Sequence, residues 1–304
     1  MQRLLVALIA LIVSAAPAIA GEEDSHDLRI LTFNVLAPIW AAPVWYPAEM
    51  DPALLDRTLR RERIVSFLRK VRRNSDVICL QEVQKDELPY FLRALGTEFE
   101  GAMAFNDPNY WSSWIVPELP WQPNGTAVIV RKSVVAQRRF TDLALSSDGN
   151  HAAAVEGLHA ATGRPLRIFS VHLDSDFNNN RLFELRSLME QAPAHEGYTD
   201  VVCGDINEDT VTGSAGSIFA DNGYADVLAS VGNREGTHPW STAYYRSARW
   251  AIIDHIMVRG AKPVAGDVFD FGLWSIANEL TRIEENFRQS GSDHFPVGGT
   301  IRFY

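Results

Sequence analysis

One stretch constrains this chain more than any other. Val201–Asp209 reads Val-Val-Cys-Gly-Asp-Ile-Asn-Glu-Asp. Asp200 precedes a short apolar run (Val201, Val202, Cys203), the pattern of a buried strand. Gly204 breaks the run, and Asp205 and Asn207 follow two apart, so continued extension points both side chains to one face at the strand's C-terminal end. An acid and an amide there can orient and deprotonate a water. The competing reading is a strand ending in an Asx-type turn, because Gly, Asp and Asn favour turns for backbone reasons. Other strand ends must decide between the two.

The first twenty residues stand apart. Arg3 gives a positive start, Leu4–Val13 an apolar run and Ala18-Ile19-Ala20 a small-residue cleavage pattern, which together predict a secretory signal peptide over residues 1–20. The apolar run is too short to span a bilayer well, and no later stretch is long and apolar enough to do so. The expectation is a protein exported to the periplasm or secreted, with a loose tail at 21–27 and one catalytic domain over 28–304. Without the leader the chain carries 27 basic and 38 acidic residues, a formal charge of −11. That discourages non-specific adhesion to nucleic acid or anionic membrane without excluding a local basic groove. Cys79 and Cys203 are the only cysteines. Export permits a disulfide, but both lie in apolar strand-like runs, where a free thiol behaves as a small hydrophobe. The expectation is that both are buried and unpaired.

Along the chain, Leu28–Val35 reads as a strand and Ala37–Pro52 as a loop carrying exposed or half-exposed Trp40, Trp45 and Tyr46. Leu54–Val71 reads as a helix whose arginines form a solvated outer face. Asp76–Val83 is a buried strand containing Glu82, and Asp86–Leu95 a helix broken at Gly96. Met103–Asn124 is rich in Tyr110, Trp111, Trp114 and Trp121: either a loop folded on its own aromatics or a substrate wall. A strand follows at Thr126–Arg131. Ala152–His159 and Leu166–Leu173 form a strand pair, Asn180–Gln191 a helix, and a weak helix lies near Gly216–Ala220. Trp240–Tyr245 and Trp250–Val258 read as strands, Phe269–Gln289 as irregular to helical, and Val297–Phe303 as the last strand. No repeat or linker divides the chain, so one domain of sheets covered by helices is expected.

The polar residues at strand ends form a set: Asn34, Glu82, His172, Asp205, Asn207, Asp254, Asp293 and His294. Loop ends on a rigid scaffold are where sites are built. A single Asp or His there is usually a turn or cap residue, but eight separated by core-like strands are hard to explain that way. Glu82, Asp293 and Asn34 offer oxygen ligands suited to Mg²⁺. His172 and His294 can hydrogen-bond a phosphoryl group or protonate a leaving oxygen.

Thr32-Phe33-Asn34-Val35, Cys79-Leu80-Gln81-Glu82-Val83, Ser170-Val171-His172-Leu173, Gly204-Asp205-Ile206-Asn207, Ile253-Asp254-His255-Ile256 and Ser292-Asp293-His294-Phe295-Pro296 occur in the order of the endonuclease/exonuclease/phosphatase superfamily. The chain resembles that superfamily from Leu28 to its C-terminus. The resemblance implies an α/β (α+β) fold, a four-layer αββα sandwich of the DNase I type with two mixed sheets face to face and helices outside. It also implies a metal-dependent phosphoester hydrolase using Mg²⁺, with Mn²⁺ as a possible substitute. By the same resemblance Glu82 is the principal metal ligand, supported by Asn34 and Asp293. The resemblance also implies that Asp205 activates or orients the attacking water and that Asn207 helps position it or the phosphate. His294 contacts the scissile phosphate, its tautomer held by Asp254, and His172 donates to a phosphate oxygen or the leaving group.

Secondary candidates carry plainer readings beside them. Arg181 and Arg186 suit phosphate recognition but can equally pair with Glu184 or Glu190 on the same helix. Asp174 and Asp176 read as loop or cap residues, His255 as structural and Asn124-Gly125 as turn chemistry. For substrate, a phosphodiester in nucleic acid comes first, with Trp111 and Trp114 as stacking surfaces. A phospholipid of the sphingomyelinase type comes second, the same tryptophans dipping into a membrane interface. A small phosphorylated metabolite is third. The opening Phe-Asn-Val-Leu-Ala also resembles deadenylase-like and tyrosyl-DNA phosphodiesterase-like branches, whose intracellular settings do not suit a chain with a leader. A binding module on a dead scaffold would lack a core residue, and none is missing.

Overall fold

The computed structural model describes residues 26–106, 124–146, 149–238 and 251–304. The leader, the tail to residue 25, the segment with Trp111 and Trp114, and the expected strand at Trp240–Tyr245 lie outside them. In chain order the elements are β1 (Asp27–Asn34), α1 (Arg57–Val71), β2 (Val77–Gln84), α2 (Leu88–Leu95), β3 (Phe99–Phe105), β4 (Asn124–Arg131), β5 (Val135–Ala144), β6 (His151–His159), β7 (Pro165–His172) and α3 (Asn178–Gln191). They continue with β8 (Thr199–Asp205), α4 (Ser214–Asp221), β9 (Ala225–Asp226), α5 (Val227–Ser230), β10 (Asp254–Arg259), β11 (Ala261–Val268), α6 (Glu279–Ser290) and β12 (Val297–Phe303).

Two six-stranded mixed sheets result, ordered β11-β12-β1-β2-β4-β3 and β5-β6-β7-β8-β10-β9. The period-two alternation of each central strand feeds two cores. From β2, Val77 and Cys79 enter the layer between the sheets with Val201 and Cys203 of β8. Ile78 and Leu80 point outward onto α1 and α2, beside Phe67, Leu68 and Phe91. From β8, Val202 points the other way, onto α3 and α4. The layers are therefore helix, sheet, sheet, helix, as the resemblance implies.

Each sheet contains one parallel pair joined through a helix: β1-α1-β2 and β7-α3-β8. In such units ligands gather at the strands' C-terminal ends. Asn34 and Glu82 stand at that end of one pair, and His172 and Asp205 at that end of the other.

The structure corrects several expectations. Cys79 and Cys203 are joined as a disulfide, with Cα atoms 6.2 Å apart. Both cysteines enter the inter-sheet layer, but neither strand's own sequence reveals that they face one another. The helix expected from Leu54 begins at Arg57, because Asp56 caps it by accepting a hydrogen bond from the Leu59 amide (2.9 Å). Its arginines are not all solvated: Arg60 is buried and donates to the carbonyls of Gly291 (2.8 Å), Val35 (2.7 Å) and Leu36. Asn124-Gly125 is no turn but the start of β4, where a Cβ on Gly125 would lie 1.9 Å from the Ala104 carbonyl oxygen. Strands β3, β5 and β11 and the two-residue β9 are additions. In β5 the exposed side of the alternation is charged, and in β11 glycine, proline and alanine dilute the apolar signal.

Candidate active site

Backbone distortion aims the site residues. The pairing of β2 with β4 jumps from Leu80↔Ala127 to Val83↔Gly125, so Gln81 and Glu82 stand opposite the single residue Thr126. Such a bulge re-aims a side chain, and Glu82 takes a left-handed φ of 58°. Leu36 (φ 59°) and Asn207 (φ 56°), at two other strand ends, do the same. Non-glycine residues in this region cost about 1–3 kcal/mol each and persist where surrounding structure imposes them. Gly204 is a contact requirement: any Cβ would meet the Val171 carbonyl oxygen at 1.9 Å, blocking the β7–β8 pairing beneath Asp205.

These tips bring the predicted core set together. The Asn34 amide nitrogen donates to Glu82 Oε1 (2.9 Å) and to Asp205 Oδ2 (3.1 Å), bridging the two sheets. Its amide oxygen accepts from the Leu36 N–H (2.9 Å). Asn34 therefore presents its nitrogen to the carboxylates and holds the two in place relative to one another. Glu82 Oε2 accepts from the Ala37 N–H (2.7 Å). Asp205 Oδ1 accepts from the Asn207 N–H (2.9 Å), and the Asn207 amide nitrogen donates to the Leu173 carbonyl (2.8 Å). Nε2 of His172 and Nε2 of His294 each stand 3.7 Å from Asp205 Oδ2. His294 Nδ1 is 2.8 Å from Asp254 Oδ2.

Asp293 lies beside this group. Its Oδ2 accepts from the Tyr46 hydroxyl (3.0 Å), and His238 Nε2 stands 3.9 Å from the same oxygen. Tyr46 and His238 were not among the sequence candidates. Tyr46 belongs to the aromatic loop 37–52, but it turns inward, buried against Phe287 (centroids 5.5 Å apart). His238 gives no signal in the sequence beyond being a histidine. It packs edge-on to His294, with centroids 4.8 Å apart.

Burial raises the Glu82 carboxyl, aided by Asp293 and opposed by His172 and Asn34. Burial also works to raise Asp293, but His238, His294 and Tyr46 outweigh it and hold that carboxyl well below its usual range. Burial works to lower His294, and Asp254 with Asp205 and Asp293 carries it instead up to about 10.

Glu82, Asp205 and Asp293 are buried, and among the described residues no lysine or arginine forms a salt bridge with them. Buried carboxylates are costly without a compensating cation. Glu82 and Asp293 each offer hard oxygen donors of the kind a divalent cation takes. A ring nitrogen each from His238 and His294 also lies within 4.8 Å of an Asp293 oxygen, and Asp205, Asp254 and His294 form a second such group.

Arg181 turns its guanidinium onto the protein's own backbone. It is buried, and donates to the carbonyls of Asp174 (3.0 Å) and Asn207 (2.8 Å), tying two site loops together. Arg186 is exposed on the same helix. Neither pairs with Glu184, which accepts from the Asp174 N–H (2.8 Å) and from Asn150 (3.1 Å). Asp174 accepts from the Asp176 and Phe177 amides (2.8 and 2.7 Å), which makes it a loop residue, one of its two expected roles, since α3 begins after Phe177 with no side-chain cap.

The chain belongs to the Endonuclease/Exonuclease/phosphatase family, whose model matches residues 31–294. Members of this family are hydrolases acting on phosphoesters. No curated protein matches the sequence. Solved structures do match, and they share the fold. One is the endonuclease/exonuclease/phosphatase from Bacteroides vulgatus (17% identity, TM-score 0.64, covering 91% of this chain and 99% of that one). A mannosyl-6-phosphatase from Bacteroides thetaiotaomicron is similar at 16% identity and TM-score 0.60, covering 91% and 100%. D. rerio TDP2 complexed with single strand DNA product is similar at 18% identity and TM-score 0.59, covering 91% and 99%.

Proposed function

We propose that this chain is an exported, Mg²⁺-dependent phosphoester hydrolase acting first on phosphodiesters of nucleic acid, through one catalytic domain over residues 28–304. The observation that carries the reading is the position of Asp205 Oδ2. One amide joins it to Glu82 in the other sheet, and two imidazole nitrogens face it at 3.7 Å. The gap exceeds a direct hydrogen bond and suits an intervening substrate oxygen or water. The leader pattern and the disulfide support export, since disulfides persist in oxidising compartments.

Asp205, oriented by Asn34 and by the Asn207 amide, accepts a proton from the attacking water. His294, charged and aligned by Asp254, donates from Nε2 to a phosphoryl oxygen. His172, the more open of the two histidines, donates to the leaving oxygen. Glu82 and Asp293 would hold a divalent cation, which offsets charge developing on the phosphoryl group. The similarity to TDP2 with a DNA product supports the nucleic-acid ordering, and the mannosyl-6-phosphatase similarity supports a phosphorylated small molecule as the second reading.

The test is hydrolysis by protein beginning at Gly21, in Mg²⁺, Mn²⁺ or EDTA, with Asp205→Asn beside it. The panel holds plasmid DNA, single-stranded DNA, RNA, sphingomyelin vesicles and mannose 6-phosphate. Cleavage that needs metal and is lost in the variant is expected, strongest on nucleic acid. Cleavage that persists in EDTA or in Asp205→Asn would overturn the mechanism, and preference for the sugar phosphate would overturn the substrate order.

A further inference from the structure

Among the described residues, Asp293 is the one carboxylate of the site that two side chains outside the predicted set approach at a single oxygen. The Tyr46 hydroxyl donates to Oδ2 at 3.0 Å, and His238 Nε2 stands 3.9 Å from that oxygen, at ion-pair range. The other oxygen, Oδ1, has the Ser292 hydroxyl 3.5 Å away, but that hydroxyl has a shorter contact, 2.7 Å, to the Asn34 carbonyl. The carboxylate is thus held asymmetrically, one oxygen by protein donors and the other turned to Ser292 only at long range. Carboxylates that bind metals are commonly oriented this way by hydrogen bonds from behind.

What places Tyr46 there is a separate piece of packing. Its ring sits in a small core of Leu36, Met50, Leu54, Ile283 and Phe287, formed between the 37–52 loop and α6. Asp293 follows α6 by three residues, after the left-handed turn at Gly291 (φ 79°). The loop and the Asp293 strand end are therefore pinned to one another through α6, and the hydroxyl is delivered from a ring that cannot swing away without opening that core. The Trp45 indole beside it does something different, donating to the Ile39 carbonyl (3.1 Å) within its own loop.

We propose that Tyr46 is a positioning residue for the cation-binding carboxylate Asp293, with His238 as a second, electrostatic support on the same oxygen. The proposal rests on reading Asp293 as a cation ligand. It assigns the aromatic loop 37–52 a part in metal binding.

Mn²⁺ binding to the full protein from Gly21, followed by electron paramagnetic resonance without substrate, tests it. Tyr46→Phe keeps the ring and removes only the hydroxyl, and should weaken Mn²⁺ about 10–100-fold, the range for loss of a partner behind a ligand. His238→Phe should weaken it by a smaller factor. Trp45→Phe, which loses a bond internal to the loop, should leave Mn²⁺ affinity as it was. A Tyr46→Phe affinity within twofold of wild type would overturn the proposal. So would an equal loss in Trp45→Phe, because loop integrity and not the hydroxyl would then be responsible. Wild-type protein that binds no Mn²⁺ would end the reading of Asp293 as a ligand together with this one. Unchanged binding in Tyr46→Phe would end this one alone.

Discussion

Asp254 and His255 are neighbours on β10, and each belongs to a histidine–aspartate pair, but the pairs lie on opposite faces of the strand. On one face His294 Nδ1 meets Asp254 at 2.8 Å, and Nε2 looks across a 3.7 Å gap to Asp205. On the other face His255 Nδ1 meets Asp226 at 2.6 Å, and Nε2 lies 3.1 Å from both the Glu208 and Ile252 carbonyls. Acceptors on both sides of the His255 ring favour the form in which both nitrogens carry protons, with each of them donating. The His294 ring has one nitrogen fixed and one directed at the cleft. On the proposed reading one histidine–aspartate pair serves chemistry and the other architecture, and the difference lies in what the second nitrogen faces.

That contrast breaks first at the cleft. His294→Ala should lower kcat by about 10²–10⁴, the range for removing an acid–base group, while circular dichroism shows the native fold retained. Asp205→Asn should fall in the same range. Wild-type turnover in either variant would mean that the cleft-facing pair is as structural as the other.

The outer pair should respond in the opposite sense. His255→Gln leaves Asp226 buried without its cation, and breaking a buried pair costs about 3–5 kcal/mol. Urea unfolding should show that loss, whereas kcat per folded molecule should hold. The pH dependence sharpens the point. Burial opposes the Asp226 charge, but His255 with Thr210 and the Ala229 amide brings its pKa down to about 2. A lowered carboxyl contributes stability that is present above its unfolded value, about 3.9, and lost as pH falls through 2. For His255, burial opposes the charge and Asp226 overrides it, raising its pKa. A raised imidazole contributes stability that is present below about 6.5 and lost as pH rises through the folded value. The Tm gap between wild type and Asp226→Asn/His255→Gln should therefore be widest from about pH 4 to 6.5 and narrow on both sides. A gap that does not change with pH would show the outer pair to be uncharged.

Much of this was legible in the sequence, and the reasons are local. Asn34, Glu82, His172, Asp205 and Asp293-His294 each end or follow an apolar run, so the eye is led to strand tips. His255 could be set aside because alternation places it opposite Asp254. What escaped detection depends on contacts between distant segments. The disulfide needs Cys79 and Cys203 to meet across two sheets, and Arg60 is buried because Val35, Leu36 and Gly291 present carbonyls to it. Tyr46 reads as a loop aromatic until α6 is packed against it. Asn34 stands out at its strand tip, but its amide orientation is set by the Leu36 N–H, two residues on in a left-handed turn that no pattern of residue types announces. Strand β11 was missed because Gly266 and Pro263 dilute its apolar signal.

The smallest effect gives the finest test of the comparison. Thr210 donates to Asp226 Oδ2 at 2.5 Å, and its hydroxyl stands 3.3 Å from His255 Nδ1, wholly on the outer face. Thr210→Val keeps the shape and removes one donor to a charged group, worth about 1.5–3 kcal/mol. Asp226 still accepts from His255 and from the Ala229 N–H (3.2 Å), so the charge survives and the loss should be smaller than for His255→Gln. Because that hydroxyl was one cause of the lowered Asp226 pKa, the acid limb of the stability profile should also begin at a higher pH than in wild type. Turnover should not move, since the hydrogen bonds and ion pairs of Thr210 and Asp226 go to each other, His255 and the Ala229 amide, and not to Glu82, Asp205 or His294. If kcat falls with the stability, β10 carries strain from one face to the other, and Asp254 is then held in place partly by the pair behind it.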